Sequence, residues 1–327
     1  MTKLSDTIYD LVIIGAGPIG LATAIEAKKA NLNYIVLEKG VLVNALYNFP
    51  EQMTFFSTSK LLEIGGVPFI SHIDKPTRKE ALEYYRRVQE SWQLSIKLYT
   101  TVQGMKPLSD GGYELITDKG NAFAKAVTVC TGFYDTPRKL GVPGETLGKV
   151  KHFYDSPHPY VGQKIIVVGA ANSACDVALE TYHKGAGVTM VVRKSEISPR
   201  VKYWIRPNIV NRIKDGVINA FFDTQIIEIK PEEVVLQTPK GKVTIENDFV
   251  LAMVGYTPDY GLFENLGLPI EDDEYKRPVY NEETLESGLP NVYVAGVINA
   301  GLQTSKFFIE NTRQHGKIIV DNIKAKL

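Results

Sequence analysis

The stretch YDLVIIGAGPIGLATAIEAKKANLNYIVLEKG, residues 9–40, decides the fold. Tyr9 to Ile14 is a short apolar, β-branched run, Gly15-x-Gly17-x-x-Gly20 follows at once, and Leu21 to Ala30 reads as a helix with Glu26, Lys28 and Lys29 on its wet side. The order is strand, tight turn, helix. In that setting the first glycine makes the turn, the second lets the backbone approach a pyrophosphate, and the third lets helix and strand pack closely. The phosphates would rest on the exposed N–H groups at the helix N-terminus. A second strand, Tyr34 to Leu37, ends on Glu38, 18 residues past Gly20, close to the spacing of an acid that binds ribose. A carboxylate there accepts hydrogen bonds from ribose hydroxyls and repels a 2′-phosphate, so this first site suits FAD or NAD and not NADP. Its expected ligands are Gly15, Gly17, Pro18, Gly20, Glu38, Lys39 and Tyr47.

The same layout returns past the middle in GQKIIVVGAANSACDVALETYHKGAGVTMVVRKSE, residues 162–196. Strand Lys164 to Val168 leads into Gly169-Ala170-Ala171-Asn172-Ser173-Ala174, a helix runs from about Asn172 to His183, and a strand from Val188 to Val192 ends on Arg193 and Lys194. Alanine replaces the second and third glycines, and is tolerated at the last. Where the first copy ends its second strand on an acid, this copy carries adjacent cations. A guanidinium there clamps a 2′-phosphate with parallel hydrogen bonds, which makes this an NADPH site held by Gly169, Ala171, Asn172, Ser173, Ala174, Arg193 and Lys194. The alternative for Arg193 and Lys194 is a solvated strand end. Two sites of opposite preference imply electron transfer from NADPH to FAD.

Composition bounds the remaining choices. At 327 residues the chain is long for one domain. Lysine plus arginine equals aspartate plus glutamate at 37 each, giving no electrostatic reason to expect nucleic acid or an anionic membrane as partner. Leu11 to Ile25, the longest weakly polar run, is too short to span a bilayer. MTKLSDTIYD, residues 1–10, lacks the apolar core of a signal peptide, and the only cysteines are Cys130 and Cys175, so a cytoplasmic location is expected. His72, His152, His158, His183 and His315 are scattered without metal-ligand spacing, and no metal is expected.

Further along, AVTVCTGFYDTPRKLGVPG (126–144) is a strand entering a Thr131-Gly132 turn, and LPNVYVAGVINAG (289–301) is another entering an Ala295-Gly296 turn before a last helix from about Thr304 to Ile323. Between the second loop and this strand, residues 223–259 read as hairpin strands with a Lys240-Gly241 turn, then a buried strand. The expected architecture is α/β: two Rossmann-like, doubly wound dinucleotide-binding domains, with an NADPH domain (137–253) inserted in an FAD domain (1–136 and 254–327).

Over essentially its whole length the chain resembles flavoproteins with two dinucleotide-binding domains. In them an ATG-like turn and a VYVAG turn close over the flavin, which implies flavin contacts from Thr131, Gly132, Gly296 and Val297. The first turn here reads Cys130-Thr131-Gly132, and Val297 stands where an aspartate usually meets the ribityl chain. Longer strings, YNFPEQMTFFSTSKLLEIGGVPF (47–69), KPTRKEALEYYRRV (75–88), TGFYDTP (131–137), VKYWIRPNI (201–209), VYVAGVINAG (292–301) and FIENTRQHG (308–316), resemble the bacillithiol disulfide reductase family. The resemblance implies a cytoplasmic NADPH-dependent FAD enzyme that reduces a low-molecular-weight thiol disulfide, as a homodimer or tetramer.

That family commonly has a cysteine before the last glycine of the first loop, proposed to attack the substrate disulfide. Here the residue is Ile19. Cys130 and Cys175 are far apart with no Cys-x-x-Cys between them, so no dithiol relay can be written. Flavin-centred chemistry remains, with the N-terminus of the last helix near residues 302–306 expected to stabilise charge on the reduced ring. Lys202, Tyr203 and Arg206 are the substrate candidates, for carboxylates of a thiol conjugate, against the alternative of a structural edge loop. His315 either approaches the flavin or packs. A flavin monooxygenase, a ferredoxin or flavodoxin reductase and a redox-sensing nucleotide-binding module share parts of this plan. The chain lacks the F-x-G-x-x-x-H signature of the first.

Overall fold

The computed structural model describes residue 4, residues 7–109 and residues 111–326. Residues 1–3, 5 and 6 of the stretch read as lacking the apolar core of a signal peptide therefore lie outside the described residues. The chain divides into two compact units, Met1–Thr136 with Tyr256–Leu327, and Pro137–Gly255.

In the first unit, β1 (Ile8–Ile14) is paired in parallel with β2 (Tyr34–Leu37) on one side and β6 (Ala122–Val129) on the other. Strand β3 (Ile96–Lys97) extends the β2 edge. Strands β4 (Val102–Pro107) and β5 (Tyr113–Thr117) form an antiparallel meander that ends on the first half of β6. The last strand of the chain, Val292–Val294, pairs in parallel with the second half of β6, giving a sheet of seven strands. Leu11, Val12 and Ile13 are fully buried because both faces of β1 are covered, one by a core that includes Leu21, Ile25 and Ile319, the other by a core that includes Leu115, Phe263 and Val294.

Helix Pro18–Lys29 begins with proline at its first turn, where the missing N–H costs nothing, and is flat against the sheet with Leu21, Ala24 and Ile25 buried. Helix Arg78–Trp92 starts on a capping box: Thr77 accepts from the Glu80 N–H, and the Glu80 carboxylate accepts from the Thr77 N–H at 2.8 Å. Burial pushes the Glu80 carboxyl upward, but the hydrogen bonds from Thr77, Ser71 and His72 outweigh it and hold the group at about 2.

The second unit repeats the winding. Its parallel strands are β7 (Val150–Lys151), β8 (Lys164–Val168), β9 (Gly187–Val191), β10 (Asn219–Phe221) and β14 (Phe249–Ala252), and they lie in the order β10-β9-β8-β14-β7 in a five-stranded sheet. Strands β11 (Gln225–Ile229), β12 (Glu233–Thr238) and β13 (Gly241–Glu246) make a separate antiparallel sheet, with the β12–β13 turn at the Lys240-Gly241 expected from the sequence.

One element departs from the sequence reading. The expected helix from Thr304 to Ile323 is instead a turn region at 301–308, a short helix Ile309–Thr312 and a helix His315–Lys326. Gly301 takes a positive φ of 53°, and the Asn311 side-chain carbonyl accepts the Phe308 N–H at 2.7 Å, so the first helical turn starts at 309. No helix N-terminus lies at 302–306, and the charge stabilisation expected there has no structural basis.

Candidate functional site

Four strand ends of the first unit come level at one edge of the sheet. Ile14 is in register with Leu37 and with Val129, and Val129 with Val294. The chain leaves those strands through hydrogen bonds that keep them level: Gly15 N–H to the Leu37 carbonyl at 2.8 Å, Cys130 N–H to the Ile14 carbonyl at 2.8 Å, and Ala295 N–H to the Val129 carbonyl at 3.0 Å. The Gly15 loop, Glu38, the Thr131-Gly132 turn and the Gly296 turn are thus gathered at the carboxyl edge, where open α/β sheets bind ligands.

The three loop glycines are there for different reasons. Gly15 has φ +103°, and a Cβ on it would meet the Cys130 carbonyl oxygen at 2.7 Å; one on Gly20 would overlap the Gly15 carbonyl oxygen outright. Both are demanded by the fold. Gly17 is extended at φ −71°, and a Cβ there meets nothing within 4 Å. The space in front of Gly17 is the cradle a pyrophosphate would fill, and it is the observation that FAD fits this loop. Thr131 Oγ1 is buried without a hydrogen-bond partner at the neighbouring turn, a second polar atom that a bound cofactor would satisfy.

Glu38 is buried, and its carboxylate accepts the Ala16 N–H at 2.8 Å and the Gly40 N–H at 2.9 Å. Burial pushes its carboxyl above the usual range, against those two hydrogen bonds. The acid braces the loop, with lone pairs left for ribose hydroxyls. Lys39 pairs with Asp135 at 2.9 Å, Pro18 is buried at the first helical position, and exposed Tyr47 lies under the Arg78 guanidinium, 5.5 Å from ring centre to carbon. Phe49, Tyr134 and Tyr256 form an aromatic wall beyond the Thr131-Gly132 turn, with centroids 4.6 and 4.3 Å apart. Asp135 and this wall were not singled out from the sequence, although TGFYDTP contains the signal of Tyr134 and Asp135.

Gly296 opens a short 3-10 helix, Gly296–Ala300, which includes Val297. Ile19 lies against it, and the Gly296 N–H donates to Nδ1 of His315 at 3.1 Å. Burial pushes the His315 imidazole down to about 4, so it is neutral. Cys130 and Cys175 are both buried, and burial pushes each thiol up to about 12. Neither is a thiolate near neutral pH.

In the second unit Val168 is in register with Val191 and Ala252, and Gly169, at φ +126°, donates its N–H to the Val191 carbonyl at 3.0 Å. A Cβ on Gly169 would meet the Met253 carbonyl oxygen at 2.5 Å and Ala174 Cβ at 3.2 Å. Ala171 caps helix Asn172–His183, whose first turn carries Ser173 and buried Ala174. Arg193 and Lys194 are exposed just past the end of β9. The Asn172 side chain accepts the Lys202 N–H at 2.8 Å, and Lys202 Nζ pairs with Asp176 at 2.9 Å while Arg206 pairs with Glu196 at 3.3 Å. Lys202 is only 9% exposed, so its ammonium ties this segment to the nucleotide helix; Tyr203 alone of the three substrate candidates stands open, at 74%. Among the described residues no group of three or more His, Cys, Asp or Glu gathers to hold a metal, and no helix is long and apolar enough to cross a membrane.

Residues 12–296 match the pyridine nucleotide-disulphide oxidoreductase family, to which the chain belongs, and within it the chain falls among the bacillithiol disulfide reductases. It is 41% identical to the bacilliredoxin reductase Bdr of Bacillus subtilis over 316 residues, covering 96% of this chain and 97% of the relative. The bacillithiol disulfide reductase structure from Bacillus cereus superimposes with a TM-score of 0.95 at 39% identity, covering 98% of this chain and 100% of that one. The structure from Staphylococcus aureus gives 0.94 at 39%, covering 97% and 98%. Ferredoxin–NADP reductase and flavin monooxygenase are distant, at 26% and 19% identity, so those two alternatives are set aside.

Proposed function

We propose that this protein is an NADPH-dependent FAD oxidoreductase that reduces a low-molecular-weight thiol disulfide, bacillithiol disulfide or a close analogue, in the cytoplasm and as a homo-oligomer. The observation that carries the reading is the pair of nucleotide loops with opposite strand ends, Glu38 in one and Arg193 with Lys194 in the other, in a chain aligned end to end with bacillithiol disulfide reductases. The net reaction is RSSR + NADPH + H⁺ → 2 RSH + NADP⁺.

FAD would be held by Gly15, Gly17, Gly20, Glu38, Thr131, Gly132, Gly296 and Val297, where it supplies a hydride acceptor and a two-electron donor in one site. Gly17 presents open backbone to the pyrophosphate, Glu38 receives the ribose hydroxyls, and Arg193 and Lys194 select the 2′-phosphate of NADPH. Ile19 fills the position of a family cysteine with hydrocarbon, and burial pushes both thiols of the chain up to about 12. Electrons therefore reach the disulfide without a covalent bond to this protein.

Anaerobic stopped-flow spectroscopy tests the reading. Flavin absorbance should bleach with NADPH in preference to NADH, then recover rapidly on adding bacillithiol disulfide. Bleaching without recovery would reject that substrate, and recovery only with oxidised bacilliredoxin would make a protein the acceptor.

A further inference from the structure

We propose that His315 is a positioning residue for the flavin site: by accepting the Gly296 N–H at Nδ1, it fixes the orientation of the peptide that opens the turn closing over FAD. The inference rests on the flavin reading above and deepens it.

The bond is 3.1 Å long and buried, and it joins residues 19 apart in sequence. Gly296 is the first residue of its 3-10 helix, so its N–H has no partner within that helix. A buried donor left unpaired forfeits its hydration without return, so the imidazole offsets a real cost. An acceptor at Nδ1 requires the lone pair there, which places the ring proton on Nε2. The positive end of the helix His315–Lys326, which His315 opens, disfavours an imidazolium at this point and agrees with a neutral ring.

The histidine is itself held in place. Gly316 packs so closely on the Pro18–Lys29 helix that a Cβ would come 2.7 Å from Thr23 Cα. Thr23 Oγ1 donates to the Ile19 carbonyl at 2.9 Å. The Ile19 side chain closes the circuit, lying where a Gly296 Cβ would be 3.2 Å from its Cγ1. Ile19 thus leaves no room for a side chain at Gly296, and His315 holds its N–H through a hydrogen bond. Its amide is committed to the imidazole and is not a donor to the cofactor. A simple packing histidine would need none of this polarity.

The test uses the full-length FAD-loaded protein. His315→Asn keeps an oxygen acceptor at the position of Nδ1, while His315→Leu keeps volume and removes the acceptor. FAD dissociation constant, visible flavin spectrum and flavin midpoint potential are measured for each. The expected result is about a tenfold weaker FAD complex with a shifted spectrum and potential in His315→Leu, and values within about threefold of wild type in His315→Asn. Equal effects of both variants, or a His315→Leu spectrum and potential like wild type, would overturn the proposal. If His315→Leu does not fold, His315→Gln replaces it, since its amide reaches the Nε2 position and leaves Gly296 unpaired. A difference between Asn and Gln supports the role, and equality removes it. These readouts do not depend on the disulfide: a wild type that binds no FAD would refute the flavin reading itself, whereas a wild type that binds FAD but reduces no disulfide leaves this test intact.

Discussion

Ile19 lies against the backbone of Gly296, so that a Cβ on the glycine would stand 3.2 Å from the isoleucine Cγ1. A side chain that is 7% exposed there is part of the core, and its burial contributes about 2 kcal/mol. A position where the family resemblance implies a cysteine carries packing here. Ile19→Cys would trade hydrocarbon for a thiol and is expected to cost about 1–2 kcal/mol of stability. Disulfide reduction should stay within about threefold of wild type, since electrons pass without a protein thiol. A rise of tenfold or more in kcat would show that a thiol is the better catalyst in this site.

The proposed role of Gly17 is in cofactor binding and not in folding. Because a Cβ at Gly17 meets nothing within 4 Å, Gly17→Ala should leave the melting temperature of the apoprotein unchanged while FAD affinity falls at least about tenfold. Gly20→Ala should do the reverse, lowering apoprotein stability because its Cβ would overlap the Gly15 carbonyl oxygen. Differential scanning fluorimetry with and without FAD distinguishes the two, and equal melting losses would contradict the assignment of Gly17.

The proposed function gives Arg193 and Lys194 the choice of coenzyme. Charge-assisted hydrogen bonds are worth about 1.5–3 kcal/mol each, so Arg193→Ala should raise the KM for NADPH by about 10–100-fold and leave that for NADH unchanged. No change with either coenzyme would mean that the strand end is merely solvated, and a parallel loss with both would contradict a role in choosing between them.

Protonation of His315 links stability to pH. Its ring is pushed by burial from an ordinary value near 6.5 to about 4 in the folded protein. Between these values the unfolded chain binds the proton and the folded one does not, so stability rises with pH across the window. Lowering the pH from 7 to 4.5 should therefore remove about 2–3 kcal/mol that His315→Asn does not lose. Urea denaturation of both proteins at the two pH values measures it, and identical losses would contradict a buried neutral imidazole.

The parts of this site that were legible in the sequence are those with local spacing. Strand, glycine turn, helix and Glu38 follow from periods of two and 3.6 residues and a fixed interval, and the structure places them together at one sheet edge. Contacts between distant residues left no such trace. The Lys202 side chain, a substrate cation on the sequence alone, pairs with Asp176, 26 residues away, and nothing in the string VKYWIRP announces a partner on the helix Asn172–His183. His315 sits in a segment whose residues suggest one long helix, yet the chain turns through 301–308 before the helical turns begin, and the hydropathy of that segment does not record the break.

Electrons that reach the disulfide with no thiol of this protein involved should be indifferent to both cysteines, and a Cys130→Ala, Cys175→Ala double variant tests that directly. The measurement is anaerobic stopped-flow reoxidation of the NADPH-reduced holoprotein by bacillithiol disulfide. A rate within about threefold of wild type is predicted, because both cysteines are buried with thiols at about 12. Reoxidation that is abolished while NADPH still bleaches the flavin would contradict it, and would place a cysteine of this chain on the path to the disulfide.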